Sequence, residues 1–403
     1  MQAIIYAMIP VGLLTGAYLF LMIRRMLIAF GVDVKKKPVL AAMIVIACAA
    51  GISACFFRKV WALILYYIVI LDLILRLADF IIRKILRGED GKAARNKDEG
   101  RDPENADSGG SRESAEEKYE KSGLRKWLYC SGLVPCLITA VIMICGVITM
   151  NNVVATRYTV ETEKALRPEG YRVIMIADSH YGVAGSYEDL VIKAQEISDL
   201  SPDAVILCGD IVDETTKPAE VDEIFDAFGG IETAYGVYFV WGNHDRSSAA
   251  LHTQFSEEYL RNVVAENGIA ILEDEIKNIN DDLVIVGRED KYEAKKGKDR
   301  KPFAELMQSV DRARFVICAD HQPSAFAEES GCGADLILAG HTHGGQIWPA
   351  RQVEEILSLD DGIYGRYEVG NTTAIVTSGF FGWSWPVKSG VPSEYVVVDI
   401  KKK

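Results

Sequence analysis

Five short clusters of acidic, imidazole and amide side chains stand out along this 403-residue chain. They are Asp178 with His180, Asp210 with Asp213, Asn243 with His244 and Asp245, the single His321, and His341 with His343. Five of the six histidines lie in them, His252 being the exception. Carboxylate oxygen, imidazole nitrogen and amide oxygen together suit borderline divalent ions such as manganese, iron or zinc better than calcium, whose sites are built from oxygen alone. A carboxylate can also bridge two cations. A lone histidine after a strand is usually structural, and a lone Gly-Asp pair is usually a turn. Neither reading explains why all five clusters share one local context.

That context is the end of a strand. Apolar, β-branched runs at 172–177, 204–208, 237–241, 283–287, 315–319, 335–339, 374–378 and 395–400 alternate with amphipathic stretches such as 186–200 and 219–228, the pattern of a layered α/β domain. Asp178 and His180 follow the first run, Asp210 the second, Asn243 the third, and His321 and His341 two later ones. In an open α/β sheet, residues just past the carboxyl ends of strands converge on one crevice. Segments distant in sequence can therefore build one site.

In order, DSH at 178–180, GDIVD at 209–213, GNHD at 242–245, His321 and GHTHGGQ at 340–346 resemble the motifs of the calcineurin-like metallophosphoesterase family. The resemblance covers about residues 170–400. GNHD alone is moderately specific and GHTH less so, whereas all five in order are strongly specific. The GHTHGGQ form and the apolar N-terminal part are most similar to the bacterial membrane-associated branch.

The resemblance implies a four-layer α/β architecture, two stacked β-sheets flanked by helices, with two divalent ions at the strand ends. One ion would take Asp178, His180 and His343, the other Asn243, His321 and His341, and Asp210 would bridge them. His244 matches the family's catalytic histidine, beside the scissile phosphate and next to Asn243. Asp320 stands where the family usually has Ser or His before the ligand. At about 3.5–4 Å separation, paired ions can polarise a phosphoryl oxygen, deprotonate a bridging water and steady an in-line displacement. The expected mechanism is direct attack by a metal-bound hydroxide, without a phosphoenzyme. His244 would stabilise or protonate the leaving oxygen, with Asp245 orienting it and Asp213 supporting the ligands. For Asp213 and Asp245 a helix N-cap is the competing reading. Gly340, Gly344 and Gly345 allow tight turns near the ions.

The first 150 residues are of another kind. Stretches 3–23, 39–57, 60–82 and 127–150 each approach the ~20 residues that a helix needs to cross a bilayer. A signal-peptide reading of the first lacks a basic leader and a cleavage site. Asp72, Arg76 and Asp79 interrupt the third, but Asp72 with Arg76 and Asp79 with Arg83 are i, i+4 pairs that can neutralise one another. Residues 87–123 contain no Val, Ile, Leu, Met, Phe or Trp, which predicts a disordered charged loop. Basic residues gather in the first and third loops, so the positive-inside rule puts these in the cytoplasm. With four spans, the catalytic domain, expected over 155–403, is then extracytoplasmic.

A net charge of -13 argues against a duplex nucleic-acid partner. The eight cysteines are scattered without CxxC spacing, which implies packing rather than a disulfide framework. Trp348, Phe380, Phe381, Trp383 and Trp385 crowd the end of the chain, where core packing and contact with lipid are both open readings. The leading function is therefore hydrolysis of a phosphomonoester, phosphodiester or pyrophosphate at a cell membrane, with a lipid or envelope precursor suggested by the tether. A non-catalytic scaffold on the same fold is the alternative. A transporter or sensor would rest on Asp72, Arg76 and Asp79 alone.

Overall fold

Alternation along the short apolar runs decides the architecture. In residues 173–176, Val173 and Met175 face one apolar layer while Ile174 and Ile176 face another, as side chains do on successive positions of a strand. A strand apolar on both faces must be covered on both sides. The computed structural model, which describes residues 2–56, 59–98, 114–246, 254–295, 297 and 299–403, shows how that is done.

Two compact units are present, Met1–Ile144 and Cys145–Lys403. In the second, the strands are β1 Val153–Thr162, β2 Tyr171–Ile176, β3 Ala204–Cys208, β4 Val237–Val240, β5 Ala270–Ile271, β6 Glu275–Asn278, β7 Leu283–Gly287, β8 Phe315–Ala319, β9 Leu336–Ala339, β10 Gly365–Val369, β11 Thr372–Val376 and β12 Ser393–Lys402. They form two six-stranded sheets, ordered β1-β12-β2-β3-β4-β5 and β10-β11-β9-β8-β7-β6. β2 to β5 run parallel, as do β7, β8, β9 and β11. The register sets Met175 opposite Ile206 on one side and Val396 on the other.

Between the sheets lie Met175, Ile206 and Val240 from one and Ile285, Ile317 and Leu338 from the other. The outer face of the first sheet is closed by helices Tyr187–Ser198 and Pro218–Gly229, through Leu190, Ile197, Ile224 and Phe228. That of the second is closed by Phe303, Leu306 and Phe326. Each such fully buried side chain contributes roughly 1.5–3 kcal/mol. The result is the expected sandwich of two sheets between two helical layers. The unit opens at Cys145, ahead of the expected 155: Met150 is fully buried in its core, and Ser393 Oγ donates to the Met150 carbonyl at 3.0 Å.

Among the described residues of the first unit and across its boundary, four helices are long and apolar enough to cross a membrane: Met8–Ala29, Lys37–Ala54, Val60–Asp90 and Leu133–Asn151. The fourth starts later than the expected 127, because Gly132 adopts a left-handed backbone (φ 71) and breaks the helical run. The charges of the third are paired. Asp72 accepts from Tyr18 (2.5 Å), Arg25 (2.5 Å) and Arg76 (3.1 Å), and Asp79 from Arg83 (2.8 Å), Arg125 (2.9 Å) and Tyr119 (3.0 Å).

The expected disordered loop is partly helical. The third helix continues to Asp98, and Ala115–Lys121 forms another, while residues 99–113 lie outside the described residues. Lys, Glu, Ala and Arg favour helix without any apolar face. A capping box between Ser114 and Glu117 starts the second piece, and Asp90 accepts from the Ala115 N–H at 3.1 Å.

Candidate metal centre

Five of the expected ligands sit on backbone that side chains rarely adopt. Asp178 (φ 52), His180 (40), Asp210 (52), His341 (73) and His343 (52) are all left-handed, a strain that persists only where the surroundings fix it. Here backbone hydrogen bonds do so. The Asp178 N–H donates to the Gly209 carbonyl (3.0 Å), the His180 N–H to the Asp210 carbonyl (3.2 Å), and the Gly340 N–H to the His321 carbonyl (3.0 Å). These bonds lace the ends of β2, β3, β8 and β9 together. Two glycines make the approach possible. A Cβ on Gly242 would lie 2.2 Å from Asp210 Oδ1, and one on Gly340 would lie 2.3 Å from Asp178 Oδ2.

The side chains gather into two groups, Asp178 with His180 and His343, and Asp210 with His321 and His341, each set of donor atoms lying within 4.8 Å of one another. Asp210 faces both. Its Oδ2 is 3.7 Å from His180 Nε2 and 3.1 Å from His321 Nε2. His180 Nε2 and His343 Nε2 are 3.2 Å apart, and His343 Nε2 is 3.7 Å from Asp178 Oδ1. Asn243 is buried beside them, its amide oxygen accepting from Gln322 Nε2 at 3.3 Å.

Supporting contacts aim the ligand atoms. His321 Nδ1 lies 2.8 Å from the Cys208 carbonyl, which turns Nε2 toward Asp210. Asp213 lies 3.5 Å from His180 Nδ1 and does the same for that ring. Against the cost of burial, the neighbouring His180 ring and hydrogen bonds from the Thr215 N–H and hydroxyl hold the Asp213 carboxyl at about 2. Burial, reinforced by His321, pushes His341 down to about 3; burial and the nearby His180 hold His343 well below the usual imidazole range. These shifts favour the neutral ring, the form that offers a lone pair to a cation, whereas against burial Asp210 pushes His321 the other way. His341 Nδ1 is buried with no hydrogen-bond partner among the described residues, a costly state for a polar atom unless another group takes its lone pair. Convergent imidazoles around one shared carboxylate fit a pair of divalent ions.

His244 stands at the rim, its ring 5.1 Å from that of His180 and 5.2 Å from Trp383. Although burial opposes its charge, Asp210 and Glu214 raise it to about 9. The expected orientation by Asp245 is not what the structure shows. Asp245 Oδ2 accepts from the Asp210 N–H (2.8 Å) and the Gly242 N–H (2.7 Å), and its Oδ1 from those of Ile211 (2.9 Å) and Val212 (3.1 Å). With both oxygens directed at main chain, Asp245 clamps the Asp210 loop to the Asn243 loop. Glu214 reaches His244 instead, with Oε2 2.9 Å from Nδ1. Sequence reasoning passed over Glu214; its one signal is an acid directly after GDIVD. Of the flanking aromatics, Phe380 and Phe381 are buried in the core, whereas Trp348 is 39% exposed. His252 falls outside the described residues.

Two stacked sheets that bring carboxylates and imidazoles to one crevice define a metal-dependent hydrolase domain. Residues 171–345, which include every candidate ligand from Asp178 to His343, match the model of the calcineurin-like phosphoesterase family. The chain is similar to a metallophosphoesterase of Aquifex aeolicus, 28% identical over 61% of this chain and 91% of the other, and to one of Campylobacter jejuni, 27% identical over 63% and 66%. A transmembrane protein with a metallophosphoesterase domain from Danio rerio is 24% identical over 66% of this chain. The match spans 62% of the Danio rerio protein's own length.

Proposed function

We propose that the chain hydrolyses a phosphate ester at the cluster centred on Asp210. Asp178, His180 and His343 would hold one divalent ion and Asn243, His321 and His341 the other, with Asp210 shared between them. The observation that carries this reading is the position of Asp210 Oδ2, within 3.7 Å of a ring nitrogen from each ligand group. When bound, such a pair of ions supplies Lewis acidity toward a phosphoryl oxygen and brings the pKa of water near neutrality. Manganese, iron and zinc all suit the donor set.

The remaining steps belong to side chains of this chain. His244, steadied at Nδ1 by Glu214, presents its other ring nitrogen to the leaving oxygen and gives it a proton. Asp245 keeps Asp210 and Asn243 in mutual register through its four backbone bonds. Phosphomonoesters, phosphodiesters and pyrophosphates all meet these requirements. Four apolar helices support attachment as a multi-pass protein, and the distribution of basic residues supports an extracytoplasmic catalytic domain. Tethering there favours a lipid or envelope precursor as substrate.

The test uses the full chain purified in detergent, with p-nitrophenyl phosphate and bis(p-nitrophenyl) phosphate and manganese added or chelated. Turnover should require the metal, and Asp210→Asn and His343→Ala should each lower it by about a hundred-fold or more. A folded, metal-loaded chain inert toward both esters would instead make the domain a membrane-tethered scaffold.

A further inference from the structure

The helix Ala350–Leu357 contributes no buried residue. Val353, Ile356 and Leu357, spaced i, i+3 and i+4, share one face and are 48, 81 and 60% exposed. Leu359, just beyond, is 61% exposed. Single exposed apolar residues are ordinary, but a contiguous ridge marks a contact surface.

The ridge adjoins both the metal centre and the last apolar helix. Glu354 and Leu359 line the same cavity as His341, His343, Trp383 and Trp385. Lys388 donates its N–H to the carbonyl of Gly146 at 3.0 Å, and Gly146 belongs to the membrane-length helix Leu133–Asn151. The next residue, Ser389, accepts the Trp348 N–H on Oγ at 3.1 Å, and Pro349 then leads into the ridge helix. Two hydrogen bonds and three Cα–Cα steps of ~3–4 Å each separate the ridge from Gly146, so the ridge begins within roughly 20–25 Å of it. Gly146 lies about 7–8 Å from the end of its helix at ~1.5 Å per residue. If Leu133–Asn151 crosses a bilayer, the ridge and the mouth of the site lie at the depth of the headgroups, where tryptophan and amphipathic helices settle.

We propose that Ala350–Leu357, with Trp348 and Leu359, is an interfacial docking helix. Its partner is the lipid surface of the bilayer that the chain itself spans, and it holds the site where a phosphate ester borne by a membrane amphiphile can enter. The delivery of substrate rests on the hydrolytic reading above; the docking does not. Glu354, Glu355, Asp360 and Asp361 beside the ridge favour a zwitterionic over an anionic surface.

The docking is tested by placing the full chain in nanodiscs of phosphatidylcholine, plain or brominated on the upper acyl carbons. Ile356→Trp adds a fluorophore at an 81% exposed position. Its added emission should be quenched by about half or more in the brominated discs. Equal emission in both discs would overturn the proposal, as would unquenched emission with self-association through this face. For delivery, the double substitution Ile356→Gln, Leu357→Gln should lower turnover of a lipid phosphomonoester in the discs by about five-fold or more, with p-nitrophenyl phosphate turnover within about two-fold. Equal losses on both esters, or none, would overturn delivery. A wild-type chain inert toward both would sink the hydrolytic reading, while the quenching would still decide the docking.

Discussion

His244 depends on a neighbour that holds its ring. Glu214 Oε2, 2.9 Å from Nδ1, fixes the direction of the imidazole, and loss of such a supporting contact costs about 10–100-fold in activity. Glu214→Gln should therefore slow turnover of p-nitrophenyl phosphate by about ten-fold, with metal content per chain unchanged. Loss of metal together with rate would instead make Glu214 part of the ion-binding framework. The sequence showed which residue types meet at the site, because ligand chemistry restricts them to carboxylate, imidazole and amide. It could not show which of three neighbouring acids reaches His244. Asp213, Glu214 and Asp245 sit on turns where one residue of phase redirects a side chain completely: Asp213 goes to His180, Glu214 to His244 and Asp245 to backbone. The left-handed backbone at five expected ligands was equally hidden, since aspartate and histidine are ordinary residues on ordinary backbone elsewhere.

At the scale of elements, the loop after β11 backs Asp178, and a buried lysine ties it down. Lys388 is fully buried, and its Nζ donates to the carbonyls of Ser378 (2.6 Å), Gly379 (2.9 Å) and Phe381 (2.7 Å). The Phe380 N–H in turn bonds the Ala177 carbonyl at 2.8 Å, next to Asp178. Lys388→Met keeps the chain's bulk but takes the lysine donor from the Ser378 and Phe381 carbonyls, while the Gly379 carbonyl keeps the Glu394 N–H at 3.0 Å, so it should destabilise the domain by roughly 3 kcal/mol. An unchanged thermal unfolding midpoint would refute that role. The central strands were legible because each is buried on both faces and so reads as a continuous apolar run; β3, β7 and β8 have the bounds expected of them. β6 and β10 hold only exposed and half-buried residues, β1 is mostly so apart from Val153, Val160 and Thr162, and β5 is only two residues long. Such edge strands take their definition from pairing with a neighbour, which a single sequence does not display. The helix through Asp98 was missed for the opposite reason: it forms on propensity, with no apolar face to announce it.

For the whole molecule, topology follows from counting spans. In the proposed topology the four apolar helices found among the described residues would all cross the membrane, and the basic first and third loops would then place the catalytic unit outside the cytoplasm. Protease added to intact spheroplasts should therefore cut the catalytic unit before the cells are lysed; protection until lysis would reverse the orientation. All of the proposed chemistry, on whichever side it occurs, requires two cations at one shared carboxylate. The most direct test is the metal content of the purified full-length chain by inductively coupled plasma mass spectrometry. The wild type should carry about two manganese, iron or zinc ions per chain, His321→Ala and His343→Ala about one each, and Asp210→Ala neither in full. A wild-type chain that is folded yet holds one ion or none, or a count indifferent to these three substitutions, would contradict the account.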